Sequence, residues 1–137
     1  MKIAERLYLR GYTTYPRTES TTFSPNFNFK EVLTSLKSSV DYGEYASGLI
    51  KNGFNKPRQG VDAGDHPPIT PVRAADEHDL YGAEQKIYDY IASNFLACIS
   101  KDATYESVRM ELLIGDEKFK MKGQHMITPG FLDVQPW

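Results

Sequence analysis

The sequence predicts an α+β fold, helices first and strands last, and three observations carry that prediction. Apolar residues recur at helical spacing up to about residue 100. Beyond Asp102 the period changes from 3.6 to 2. Between the helical stretches, residues 54–73 hold Pro57, Pro67, Pro68 and Pro71 with Gly60 and Gly64, a density that regular helix does not tolerate. Residues 1–101 are therefore expected to form a mostly helical domain, and residues 102–137 to begin a β-rich one.

Taken in order, Met1 to Leu9 reads as helix, with Ile3, Leu7 and Tyr8 on one apolar stripe and Gly11 placed to stop it. It opens without a capping residue, as though earlier turns were missing, and the chain stops at Trp137 in mid-pattern. Tyr12 to Tyr15 leans towards strand. Thr18 to Asn26, rich in Ser, Thr, Pro and Asn, should be loop. Asn28 followed three residues later by Glu31 resembles a capping box and predicts a helix over 29–39, buried through Val32, Leu33 and Leu36. A second helix is expected over 44–51, stopped by Asn52-Gly53. The longest helical signal spans 82–99, where Ile87, Ile91, Phe95 and Cys98 share a face.

The strand signal is equally direct. Val108, Met110, Leu112 and Ile114 alternate with Arg109, Glu111 and Leu113; Phe119 and Met121 alternate with Lys118, Lys120 and Lys122. Gly115-Asp116 between them is a two-residue turn with glycine first, so a β-hairpin with one apolar face is expected. Thr128-Pro129-Gly130 makes a further turn. No internal repeat or low-complexity tract interrupts the chain.

Composition narrows the function. The chain has 137 residues, 40% hydrophobic and 25% charged, which suits a packed domain and argues against disorder. No apolar run reaches the length of a membrane span, so no membrane partner is expected. Cys98 is the only cysteine, which excludes a disulfide scaffold and cysteine-based zinc sites and fits an intracellular compartment. The net charge of −2 argues against nucleic-acid binding by the chain as a whole, because phosphate contacts supply most of that affinity. Cations do gather locally: Arg6, Arg10 and Arg17 on one side, Lys51, Lys56 and Arg58 on the other. A solvated face explains that clustering about as well as a groove does.

The most informative stretch is Tyr15-Pro16-Arg17-Thr18-Glu19-Ser20. It sets a phenol, a bend, a permanent cation and two hydroxyls side by side. A phenol can attack phosphorus, and a guanidinium two residues later offers a planar fork for phosphate oxygens. Pro16 keeps Tyr15 out of the helical region. On residue types alone, a partly buried tyrosine beside a surface arginine is the commoner outcome. Thr14 and Thr18 could bind phosphate oxygens or close local turns, and Glu19 faces solvent or pairs with an arginine. Two acidic groups invite a metal reading. Asp62, Asp65 and His66 have too few ligands for a closed site. Asp76, Glu77, His78 and Asp79 are better explained as charge at the start of the long helix.

Leu9-Arg10-Gly11-Tyr12-Thr13-Thr14-Tyr15-Pro16-Arg17-Thr18-Glu19-Ser20 resembles the active-site segment of type IA DNA topoisomerases, and Ala63-Gly64-Asp65-His66-Pro67-Pro68-Ile69-Thr70-Pro71 resembles that family's His-x-x-Ile-x-Pro signature. The wording of the second motif is most similar to the topoisomerase III beta branch. Val72 departs from the threonine that bacterial members carry there. The resemblance implies a winged-helix-like helical domain bearing the tyrosine, inserted in a β-rich arch that the hairpin resumes. It implies that Tyr15 forms a 5′-phosphotyrosine with one strand, that Arg17 and His66 contact the phosphate, and that the strand reseals without ATP and loses negative supercoils. A neighbouring cation favours the phenolate, which gives Arg17 a second role. Thr14, Thr18, Lys56 and Arg58 are the further candidate DNA contacts.

The resemblance also implies Mg2+ held by an Asp-x-Asp cluster on a separate domain. This chain has no Asp-x-Asp, so no metal ligand is assigned to it, and activity is expected only in the company of the metal-binding and arch domains. The expected partners are single-stranded DNA, RNA as a second substrate, and an accessory protein, in the nucleus and also the cytoplasm. The alternative from another class is a non-catalytic helical module on single-stranded nucleic acid, with Tyr15 packing or stacking on a base. The two differ in the phenol: a nucleophile needs its hydroxyl free and near Arg17 and His66, a structural tyrosine needs it buried and bonded.

Overall fold

The computed structural model describes residues 1–57, 59–76 and 78–136. Four helices and an antiparallel hairpin follow in the order the sequence predicts: α1 (Lys2–Leu9), α2 (Phe29–Leu36), α3 (Gly43–Asn52), α4 (Ala83–Cys98), β1 (Thr104–Ile114), β2 (Glu117–Thr128), and a short 3-10 turn at Gly130–Asp133. The architecture is α+β, helices followed by a hairpin.

Local chemistry explains the boundaries. α1 ends in a Schellman arrangement: the Gly11 N–H donates to the Tyr8 carbonyl and the Tyr12 N–H to that of Leu7, both at 2.9 Å. Gly11 sits at φ 76°, which glycine adopts without strain. Leu7 and Tyr12 then pack together in the core. At the start of α2, Asn28 Oδ1 accepts the Glu31 N–H at 3.2 Å, the cap that the residue types suggest, while the Glu31 carboxylate accepts from the Asn28 side-chain amide at 3.3 Å and not from its backbone N–H. α2 stops at Leu36, short of the expected Ser39. The Ser39 N–H turns back to the Leu36 carbonyl and its hydroxyl accepts the Tyr42 N–H at 3.2 Å, so Ser39 belongs to the turn that launches α3.

α4 is the spine of the helical body. Near its C-terminus Phe95 and Leu96, with Ile99, join Phe29, Leu33, Leu36 and Ala46 in one cluster; further towards the N-terminus Tyr88 and Ala92 join a second cluster with Leu7, Tyr12 and Leu80. The buried stripe is thus Tyr88, Ala92, Phe95 and Leu96. The expected stripe was Ile87, Ile91, Phe95 and Cys98. Ile87 and Ile91 are half-buried and Cys98 is exposed, because α4 serves two clusters lying at different angles around its axis.

The hairpin has the predicted turn. Ile114 pairs with Glu117 across Gly115-Asp116, with Gly115 at φ 61°. Met110 faces Met121 and Leu112 faces Phe119 on the apolar side, while Glu111 lies between Lys118 and Lys120 at 3.4 and 3.6 Å on the other. Both sides are exposed along the whole length. After Thr128 the chain returns to the helical body: the Phe131 N–H donates to the Lys101 carbonyl, and Val134 packs on the Phe29–Leu33 cluster.

Candidate active site

The two sequence motifs meet as an antiparallel pair. The Val72 N–H donates to the Tyr12 carbonyl at 2.8 Å, Thr13 bridges Pro71, and the Thr14 N–H donates to the Thr70 carbonyl at 2.9 Å. Further along, Thr18 meets His66 and Glu19 meets Asp65, one step forward in one segment matching one step back in the other. Between these contacts the same register would set Pro16 and Arg17 opposite Pro68 and Pro67. Proline has no N–H to donate, so the ladder lapses there. Tyr15, Pro16 and Arg17 form no backbone hydrogen bond among the described residues. The irregular prolines thereby leave a gap in the ladder at Tyr15, Pro16 and Arg17.

Tyr15 is half-buried in that gap. Its ring lies 4.8 Å from the His66 ring, tilted at 46°, and meets the Tyr8 ring edge-on at 5.3 Å. No hydrogen bond engages its hydroxyl among the described residues. Three other packed tyrosines behave differently: Tyr88 donates to the Arg73 carbonyl at 2.7 Å, Tyr42 to Asp89 at 3.3 Å, and Tyr45 shares a 2.8 Å bond with Ser100. The Tyr15 hydroxyl is therefore free of structural duty among the described residues. Arg17 is exposed and forms no ion pair among the described residues. His66 is likewise exposed.

The loop that presents His66 is held by the residues after Arg17. The Thr18 hydroxyl donates to the His66 carbonyl at 2.6 Å and accepts the Ser20 N–H at 3.0 Å, closing an ST-turn. Asp65 accepts the Glu19 N–H at 3.0 Å through one oxygen and the Ser20 hydroxyl at 2.9 Å through the other. The Glu19 N–H first, then the His66 N–H and the Ser20 hydroxyl, hold the Asp65 carboxyl down at about 2. The Ser20 hydroxyl in turn accepts the Ala63 N–H at 3.0 Å. Thr14 Oγ1 accepts the Thr70 N–H at 2.9 Å and keeps its own proton to give.

These contacts redefine the acidic loop. Asp62 Oδ1 accepts the Gly64 N–H at 3.0 Å, and Asp65 is directed onto Ser20 and Glu19, so the two carboxylates tie the loop together. Among the described residues no group of three or more carboxylate, histidine or cysteine side chains is arranged to hold a metal ion. The second acidic stretch is also not the helix-start charge that its position suggested. Asp79 caps the Asp76 N–H at 3.1 Å in its own turn, and the first turn of α4 carries Glu84 instead. Glu77 lies outside the described residues.

The local cations divide by role. Arg6 and Arg10 grip Glu84 at 3.4 and 2.9 Å, and Arg10 also donates to the Asp79 carbonyl at 2.8 Å, fastening α1 to α4. Arg10 and Arg73 lie against Tyr12, 5.1 and 4.1 Å from its ring centre. Lys56 lines a separate cavity with Cys98, Ser100 and Asp102, away from the Tyr15–His66 pair. Arg58 lies outside the described residues. Sequence reasoning missed Asp65 and Ser20 as a clasp, and Tyr8 as a wall for Tyr15. Ser20 had no signal beyond its hydroxyl; the recurrence of Tyr8 and Tyr15 on either side of a helix stop was the available hint.

The DNA topoisomerase family model matches residues 1–137, so the chain belongs to the type IA DNA topoisomerase family. Within it, the likeness runs to the topoisomerase III beta branch. The chain is 42% identical over 137 residues to DNA topoisomerase 3-beta of Arabidopsis thaliana and to DNA topoisomerase 3-beta-1 of Homo sapiens, and 39% identical to DNA topoisomerase 3-beta of Drosophila melanogaster. Each alignment covers 100% of this chain and 16% of the relative.

Proposed function

We propose that this chain is the nucleophile-bearing segment of an enzyme that cuts one nucleic-acid strand reversibly, passes another through the break and reseals it, relaxing negative supercoils. The observation that carries the reading is the Tyr15 hydroxyl, free of hydrogen bonds among the described residues, in a half-buried ring set 4.8 Å from His66. In the reaction the Tyr15 oxygen bonds to phosphorus and the bond from phosphorus to the 3′ oxygen breaks. The phenolic proton is lost and the 3′ oxygen leaves as a hydroxyl. The phosphotyrosine keeps the energy of the broken linkage, so the reverse attack by that hydroxyl restores the strand without ATP.

Arg17 holds the non-bridging oxygens and stabilises their charge in the transition state, where one well-placed donor contributes about 3–4 kcal/mol. His66 donates from the other side of the gap. Thr14, with a proton still to give, is the better of the two threonines for a phosphate contact; Thr18 acts by holding the His66 carbonyl. Mg2+ is proposed for the parent enzyme, on acidic residues outside this chain, and no step here runs through it. Single-stranded DNA is the primary substrate, with RNA as a second, and the nucleus is the proposed compartment.

In the full-length enzyme, Tyr15→Phe should abolish the covalent adduct with a labelled single-stranded oligonucleotide while strand binding stays nearly unchanged. A Tyr15→Phe protein that still forms the adduct overturns the assignment. The chain by itself, given oligonucleotide and magnesium, should yield neither adduct nor nicked product.

A further inference from the structure

A cavity of about 300 Å³ opens beside His66, on the flank of the loop that carries it. Its walls include Ser24, Phe27, Asp62, Asp65, His66 and Pro67. His66 therefore borders two spaces, the gap that holds the Tyr15 ring and this cavity. Nothing in the reaction described above uses the second. A volume near the lower end of the small-molecule range suits a single nucleoside.

Charge decides which part of a nucleic acid could enter. Asp62 and Asp65 make the cavity wall acidic, which repels a phosphodiester and leaves phosphate to Arg17 and His66 outside. A neutral base meets no such penalty. Phe27 is a half-buried ring held in place by Phe23 at 4.5 Å and Phe29 at 4.8 Å, a rigid surface for stacking that costs little ordering on binding. Asp62 spends one oxygen on the Gly64 N–H, and its second accepts no hydrogen bond among the described residues. That oxygen is an acceptor for a base N–H or amino group.

Resting on the role proposed for Tyr15, we infer that this cavity takes the nucleobase next to the phosphate under attack, stacking it on Phe27 and accepting a hydrogen bond from it at Asp62. The phosphate at Tyr15 and its neighbouring nucleoside are joined covalently, so a pocket that shares His66 with the phosphate site lies within one nucleotide of it. The pocket would orient the strand for in-line attack and give cleavage a local base preference.

The experiment uses the full-length enzyme and oligonucleotides carrying one abasic residue, on either side of the cleaved linkage. Loss of the base that occupies the pocket should lower adduct yield about tenfold in the unmodified enzyme, as expected for one base–aromatic stack; the side that shows the effect identifies which nucleoside binds. Ser24→Trp fills the cavity from an exposed loop position, and Phe27→Leu removes the stacking face. Both should reduce adduct formation on the intact oligonucleotide to the abasic level and abolish the difference between the two substrates. Full discrimination retained in Ser24→Trp, or none in the unmodified enzyme, overturns the base pocket. Either result leaves the Tyr15 assignment standing, which the Tyr15→Phe adduct assay decides separately.

Discussion

Asp65 and Ser20 are joined at 2.9 Å across 45 residues of sequence, and that bond is the latch between the two motifs of the site. The other Asp65 oxygen takes the Glu19 N–H, so one carboxylate fixes the chain just past Arg17 to the loop just before His66. The distance from Tyr15 to His66 is therefore set by contacts that lie beside the two rings.

The latch depends on charge, and its pH behaviour follows. Asp65 ionises at about 2 in the fold against 3.8 ordinarily, so its contribution is complete above about pH 4 and is lost as pH falls towards 2. Asp65→Asn should lower the thermal midpoint at pH 7, and the gap to the unmodified protein should close between pH 4 and pH 2. Melting curves at several acid pH values check this; a gap independent of pH would mean that the charge is irrelevant.

Two tyrosines differ in what engages their hydroxyls. Tyr88 is buried with its hydroxyl on the Arg73 carbonyl, so Tyr88→Phe should cost about 1 kcal/mol in urea unfolding. Tyr15→Phe removes a hydroxyl with no partner among the described residues and should leave stability within about 0.5 kcal/mol. A Tyr15→Phe loss as large as that of Tyr88→Phe would place the Tyr15 hydroxyl in a bond the structure lacks.

Arg17 makes no ion pair among the described residues, so its removal should be felt in chemistry and not in folding. In the full-length enzyme Arg17→Ala should slow adduct formation by about 100- to 1,000-fold with the melting temperature unchanged. Arg17→Lys should recover only part of this, because an ammonium cannot present the bidentate fork. Single-turnover cleavage rates test the ordering.

Two glycines of similar backbone angle should respond very differently to alanine. Gly11 has φ 76° and open space where a Cβ would stand, so Gly11→Ala costs only left-handed strain, about 1–2 kcal/mol. At Gly130, φ 54°, the new Cβ would fall on the backbone oxygens of Lys101 and Asp102. Gly130→Ala should therefore destabilise by clearly more, detaching the 3-10 turn from the end of α4. Equal losses in chemical denaturation would contradict the packing described there.

What the sequence determined was local. The Asn28–Glu31 cap, the Gly11 stop and the Gly115-Asp116 turn could all be read because each depends on a few adjacent residues and on backbone geometry that only certain side chains allow. The two motifs were legible as residue types, and the resemblance they carry led to the family. Tertiary structure decided everything that needed partners distant in the chain. Asp62 and Asp65, too few to close a metal site, had no assigned role until Ser20 was beside Asp65, and Arg6 and Arg10 were possible groove cations until Glu84 claimed both. The buried face of α4 was displaced because two clusters compete for one helix, which periodicity along a single segment does not encode. The freedom of the Tyr15 hydroxyl was decided the same way. A polar group's role rests on what reaches it in space, and sequence separation places no limit on what that is.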